Sequence, residues 1–502
     1  MADALSELRT WLAEVADLRR ACLVLQWDQS TMMPPLGAPA RAEHLATLQR
    51  ITHERFISER TGELIEAAAA QLNGLAPDSI EHRIVSEARR LYEKDRRVPL
   101  ELAAARSRAA SHGYSVWVQA RAENDFSAYA PVLERNFQLA RDYVACFDDH
   151  ADPYDVVLDD FVPGLPAAEV GRLFQELRDE LVPLIAELSG RAIDLRPLHV
   201  AYPVDGQRQL VDRVLRWMGF DDSSWRLDDT VHPFESSFSV TDVRLTTRFD
   251  EHYFPTGLYG AMHECGHGLY EAGVNPELQR TPLGTIRSTA VHESQSRLWE
   301  NIVGRSRAFC TALAPSVVEC SRGAVAGLQA DALFRAVNAV QPSLIRIEAD
   351  ETTYGLHVIL RYELESQLLK GQLDVADLPE AWNTRMREYL GVEVPSDAEG
   401  VMQDVHWSEG LIGFFPGYAI GNLIAGQLWE RVRVDIPEID RQIAAHELQP
   451  LREWLRERVY QHGSSFGDRE LLERVAGEPV RVKPFVDHLR SKLGDVYGVD
   501  LA

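Results

Sequence analysis

Residues His263-Glu264-Cys265-Gly266-His267 spell His-Glu-x-x-His. On a helix, side chains four apart share a face, so both imidazoles reach one metal ion. Glu264 turns toward the same cleft but is too short to ligate comfortably. It is placed to take a proton from a water activated by the metal. The plainer alternative is two surface histidines. Leu258, Tyr259, Ala261 and Met262 before the motif, and Leu269 and Tyr270 after it, argue instead for a largely buried helix. Two buried histidines on one face need polar partners, and a metal satisfies both.

A catalytic metal needs a third protein ligand and an open position. The extended form with Gly and a third His is absent, because Tyr270 and Gly273 stand at those positions. The third ligand must come from elsewhere in the chain. Glu293, near the start of a second helical stretch, is the first candidate. Glu300, two turns further on, is the runner-up. His292 is weaker, since it faces away if Glu293 faces in.

The elements that must position these groups read as mostly helical. Leu5, Leu8, Trp11, Leu12, Val15 and Leu18 recur at helical spacing. Ala-, Leu-, Glu- and Arg-rich stretches follow at 38–71, 79–95, 99–122, 130–149, 166–190 and 206–218. Further ones lie at 255–273, 288–314, 323–340, 350–371, 417–433, 449–461 and 482–495. The one β-like region is 231–250, with Phe238, Val240, Val243, Leu245 and Thr247. It offers an edge along which an extended peptide could lie. No repeat, low-complexity tract or long linker divides the chain. Residues 1–502 therefore read as one catalytic body with two lobes around a cleft, although length alone suggests about three domains.

Composition narrows the setting. The chain is 45% hydrophobic and 26% charged, with a net charge of −25. That acidity disfavours nucleic acid and anionic membranes as partners. Cys22, Cys146, Cys265, Cys310 and Cys320 are odd in number and widely spaced, so neither a disulfide framework nor a thiolate metal site is expected. Together with an N-terminus that lacks a secretory pattern, this fits the cytoplasm. The uncharged stretch Gly410–Trp429 is long enough to span a bilayer, but its five glycines, Pro416, Asn422 and Gln427 read as a buried loop and helix.

Six motifs then share one order with a known family. They are Leu25-Gln26-Trp27-Asp28-Gln29-Ser30-Thr31-Met32-Met33-Pro34, then His232-Pro233-Phe234 with Asp242-Val243-Arg244-Leu245-Thr246, then His263–His267. After these come His292-Glu293-Ser294-Gln295, Ile345-Arg346-Ile347-Glu348-Ala349-Asp350, and Gly400-Val401-Met402-Gln403-Asp404-Val405-His406-Trp407. The chain resembles the metallocarboxypeptidases of the carboxypeptidase Taq type (M32) nearly end to end. The resemblance implies a large helical body like neurolysin and angiotensin-converting enzyme, with a long groove and a small β-sheet. It implies a homodimer that releases single residues from peptide C-termini, with broad specificity and poor action at proline. It implies one zinc ion per chain, with cobalt as a substitute, and it assigns Glu293 as the third ligand. One departure stands out: the family commonly reads Gly-Tyr-Phe-Pro-Thr-Tyr where this chain has Gly413-Phe414-Phe415-Pro416-Gly417-Tyr418.

Roles for other groups follow from that resemblance. Hydrolysis builds a negative oxygen that needs donors besides the metal, and similarity to related peptidases points to His406 and Tyr418. A carboxypeptidase must also hold a free carboxylate, which suits a two-pronged Arg contact. Arg346 and Arg244 are the candidates, with Arg361 behind them. Each could instead be a structural ion pair. Asp404 and Gln403 could orient ligands, and Cys265 reads as a small buried residue. Two other functions stay in view: a silent binding protein that keeps the metal, and an endopeptidase on the same scaffold.

Overall fold

A computed structural model describes residues 3–501. Twenty α-helices and three strands follow in chain order among the described residues. The N-terminal helices are α1 (Ala4–Thr31), α2 (Ala38–Phe56), α3 (Glu59–Ala70), α4 (Ile80–Arg97), α5 (Leu100–Glu123) and α6 (Phe126–Val144). Next come α7 (Pro153–Leu158), α8 (Ala167–Leu188) and α9 (Val204–Met218), then strands β1 (Trp225–Asp229), β2 (Glu235–Ser239) and β3 (Asp242–Thr247). The second half holds α10 (Pro255–Gly273), α11 (Thr289–Arg297), α12 (Arg307–Cys320), α13 (Ala330–Val337), α14 (Glu351–Leu369) and α15 (Leu378–Leu390). It closes with α16 (Pro416–Asp435), α17 (Ile439–Ala444), α18 (Gln449–Arg458), α19 (Asp468–Ala476) and α20 (Lys483–Tyr497). The mostly helical fold with a small sheet agrees with the sequence reading.

Local chemistry sets many of these boundaries. Pro255 and Pro416 stand at the first helical position of α10 and α16, where a missing N–H costs nothing. Asp350 accepts the N–H groups of Thr352 and Thr353 at the start of α14. Ser58 accepts the Thr61 N–H and splits the expected 38–71 helix into α2 and α3. The expected helix 288–314 is also broken. Residues Leu298–Val303 wind as a π-helix, Gly304 N–H bonds to the Trp299 carbonyl at 2.9 Å, and Ser306 caps a fresh helix.

The sheet has the order β1-β3-β2, with β1 parallel and β2 antiparallel to β3. Helix α10 packs on β2 and β3, and α11 packs on α10 and α16. Gly266 permits the approach of α10 to α11. A Cβ there would come within 2.7 Å of the Gln295 carbonyl oxygen and the Ser296 Cα. The motif helix and the helix bearing Glu293 are thus nearly in backbone contact. The main core runs from the end of α5 through α20. A smaller cluster unites Leu8, Leu12, Phe56, Ile65, Ile84 and Val85 of the N-terminal helices with Val274, Leu278 and Leu283. No helix among the described residues is long and apolar enough to cross a membrane, and Ile420, Leu423 and Ile424 of the uncharged stretch lie in the core.

Candidate metal centre

Three ligand atoms converge between α10 and α11. His263 Nε2 and His267 Nε2 lie 3.2 Å apart, and Glu293 Oε2 is 3.7 and 3.6 Å from them. Zinc with bonds of about 2.0–2.1 Å sets tetrahedral ligand atoms about 3.4 Å apart, so the spacing fits such an ion. These three residues also form the one His/Cys/Asp/Glu group of ligating geometry among the described residues.

The chemistry of the donor set fits as well. His263 Nδ1 lies 2.9 Å from Glu300 Oε2, which fixes the proton on Nδ1 and leaves the Nε2 lone pair facing the site. Burial alone would lower the pKa of His263, but Glu293 and the Glu300 hydrogen bond outweigh it and raise it. His267 is pushed well below its ordinary value by burial and by the neighbouring His292, so its ring is neutral and able to ligate. Glu300 is in turn fixed by Arg305 at 3.0 Å and Arg297 at 3.4 Å. Burial works against the Glu300 carboxylate. The His263 contact and the two guanidinium groups outweigh it and hold its pKa well below the usual carboxylate range. Glu300 therefore orients a ligand and does not itself join the set. Arg297 donates to Glu293 Oε1 at 2.7 Å, leaving Oε2 for the site.

His292 does not face away. Its ring stacks on His267 at 4.3 Å with 16° between planes, and its Nε2 lies 3.4 Å from Glu271 Oε1. The tight approach at Gly266 brings α11 close enough for both His292 and Glu293 to meet α10.

Glu264 is 7% exposed. Burial pushes its carboxyl up to about 7, with Glu293 and Glu300 adding to the push and His263 and His292 opposing it. Cys265, beside it, is fully buried, and burial pushes its thiol above the ordinary range. It is not a nucleophile.

A second group lies on the loop before α16. His406 Nε2 is 3.3 Å from the Tyr418 hydroxyl. Burial, helped by Arg346, lowers His406 to about 3, so the ring is neutral. Arg346 is 5% exposed and donates to Asp404 Oδ1 from Nε and from an η nitrogen, at 3.1 and 2.8 Å. Its other η nitrogen donates to the Tyr354 hydroxyl at 2.8 Å, and its guanidinium lies 4.9 Å from the Tyr418 ring centre. Arg361 donates to Asp404 Oδ2 at 2.6 Å. Asp404 and Gln403 therefore hold arginines and backbone, since Gln403 Oε1 accepts the Arg346 N–H. Neither contacts a metal ligand. Glu348 and Asp350 are the acidic residues nearest Arg346 in sequence. The partner is Asp404, 58 residues on. One carboxylate serves two buried guanidiniums, so the cluster carries excess positive charge.

Arg244, on β3, is paired at both nitrogens with Asp242 and lies between the rings of Trp27 and Phe238, 4.4 and 4.8 Å from their centres. Gly417 also has a local reason. A Cβ there would meet Thr289 Oγ1 at 2.1 Å, and that hydroxyl is bonded to the Phe161 carbonyl. The missing side chain is a packing match with α11.

Comparison with known proteins places the chain among metallocarboxypeptidases. The family model "Carboxypeptidase Taq (M32) metallopeptidase" matches residues 7–493. Thermostable carboxypeptidase 1 of Thermus thermophilus is 39% identical over 508 residues, covering 99% of both chains. Carboxypeptidase 1 of Bacillus subtilis is 34% identical, covering 98% of this chain and 99% of its own. Among solved structures, the M32 carboxypeptidase of Deinococcus radiodurans superposes with a TM-score of 0.96 at 39% identity, over 99% of this chain and 100% of that one. Metallocarboxypeptidase 1 of Trypanosoma cruzi reaches 0.91 at 32% identity, over 97% and 99%.

Proposed function

The chain belongs to the carboxypeptidase Taq (M32) metallopeptidase family, and from that premise we propose that it is a zinc carboxypeptidase working through His263, His267, Glu293 and Glu264. The observation that carries this reading is the convergence of three ligand atoms beside a buried carboxylate that is not among them. Zinc held there, or cobalt in its place, supplies the Lewis acidity that activates water near neutral pH and draws charge from a carbonyl oxygen. Glu264 takes the proton of the attacking water on its carboxylate and passes it to the departing amide nitrogen. His406 and Tyr418 donate hydrogen bonds to the oxygen that becomes negative. The same reading includes poor action at proline. Otherwise side-chain specificity is broad.

The free carboxylate of the substrate meets Arg346, where two guanidiniums share one aspartate and leave positive charge uncompensated. Arg244 at the sheet is the second anchor. One zinc serves each chain of a homodimer, and five unpaired cysteines are in keeping with the cytoplasm. Arg346→Lys keeps the charge but loses the planar fork. It is expected to raise KM for short free-acid peptides by about tenfold or more, and C-terminal amides should remain uncleaved by both enzymes. An unchanged KM in steady-state assays would remove Arg346 from the role.

A further inference from the structure

Glu365, on α14, is fully buried, and no cation among the described residues pairs with it. Three donors converge on its carboxylate instead. Oε1 accepts the Tyr154 hydroxyl at 2.6 Å and the Gly413 N–H at 2.5 Å, and Oε2 accepts the Trp407 indole N–H at 2.6 Å. Burying a carboxylate without a counter-charge is expensive: burial raises this one to about 7, and the three donors oppose that shift. Two of those donors belong to the loop that carries His406. Trp407 follows His406 directly, and Gly413 lies three residues before Pro416, where α16 and Tyr418 begin. Asn136 grips the same segment from its carbonyl side, donating to Trp407 O and Ser408 O at 2.8 Å each. Asp404 is pinned by two arginines on the other flank.

We propose that Glu365 is a positioning residue, holding the loop 404–413 so that His406 Nε2 and the Tyr418 hydroxyl stay within 3.3 Å of each other. The proposal rests on the reading that those two groups donate to the developing negative oxygen. Preorganised donors are effective only where their placement is fixed before reaction. Glu365 fixes it by binding the residue beside one donor and the turn leading to the other.

The experiment is a mutant cycle on the metal-loaded enzyme, with kcat and KM measured separately. Glu365→Gln keeps the shape but sets an amide N–H₂ against at least one of the three donors. It should lower kcat by about 10–100-fold with KM within about threefold of the parent. In a His406→Gln/Tyr418→Phe background the same change should cost less than about twofold, because both groups being positioned are gone. If Glu365→Gln leaves kcat unchanged, or costs equally in both backgrounds, Glu365 does not position the donors, while the donor reading stands on Tyr418→Phe alone. If Tyr418→Phe and His406→Gln each keep full kcat, the donor reading itself fails and the proposal falls with it. Should Glu365→Gln not fold, Trp407→Phe removes the indole N–H donor, keeps an aromatic side chain there and answers the same cycle with the same outcomes.

Discussion

Glu264→Gln is expected to lower kcat by about 10⁴-fold while the protein still binds one metal ion per chain. The side chain keeps its length and shape, and His263, His267 and Glu293 keep their converging atoms, because Glu264 is not among them. What is lost is the carboxylate placed to accept a proton from the attacking water. A bound dication would pull the carboxyl of Glu264 down from the value near 7 that burial imposes, so that it is ionised and basic at neutral pH. Activity of the parent should therefore fall as pH drops through the pKa of Glu264, and the variant should lose that acidic limb with its activity. Release of C-terminal amino acids and metal content, measured on one sample, check this. Near-normal turnover with metal bound would end the assignment of Glu264.

The second large effect concerns the metal itself. Glu293→Ala is expected to weaken metal binding by well over about 100-fold, whereas Glu300→Ala should cost about 10–100-fold. Glu293 presents Oε2 to both imidazole nitrogens, while both oxygens of Glu300 are taken by His263, Arg297 and Arg305. Loss of Glu293 also leaves Glu300 as the one ion-pair partner of Arg297 among the described residues, in a buried site. Competition with a chromophoric chelator ranks the two variants. An equal or reversed order would make Glu300 the third ligand.

The motif helix was legible because its signals are local. Pro255 at the first turn and an apolar face around His263 set the bounds 255–273, and α10 has those bounds. Glu293 could be chosen because two helices bearing His and Glu have few ways to face each other. Partners distant in sequence were not legible. Arg346 and Asp404 lie 58 residues apart, and Asn136 reaches Trp407 across 271. Nothing in Tyr-Glu-Leu-Glu marks Glu365 as a buried acceptor of three donors. Strand β1 escaped because the alternation of Trp-Arg-Leu-Asp covers only four residues before a second Asp, and its pairing with β3 completes the strand. The π-helical turn at 298–303 and the stacking of His292 on His267 depend on how closely α10 and α11 approach. That approach rests on Gly266, inside the motif but silent as a signal.

The central claim, metal-assisted removal of single residues from a peptide C-terminus, has one direct test. An N-terminally blocked peptide is incubated with chelator-stripped protein, with and without one equivalent of zinc or cobalt, and the products are followed by mass spectrometry. The expected result is a ladder shortening one residue at a time from the C-terminus, pausing at proline, and only with metal present. An internal cut as the first product, or equal cleavage by the stripped protein, would contradict it.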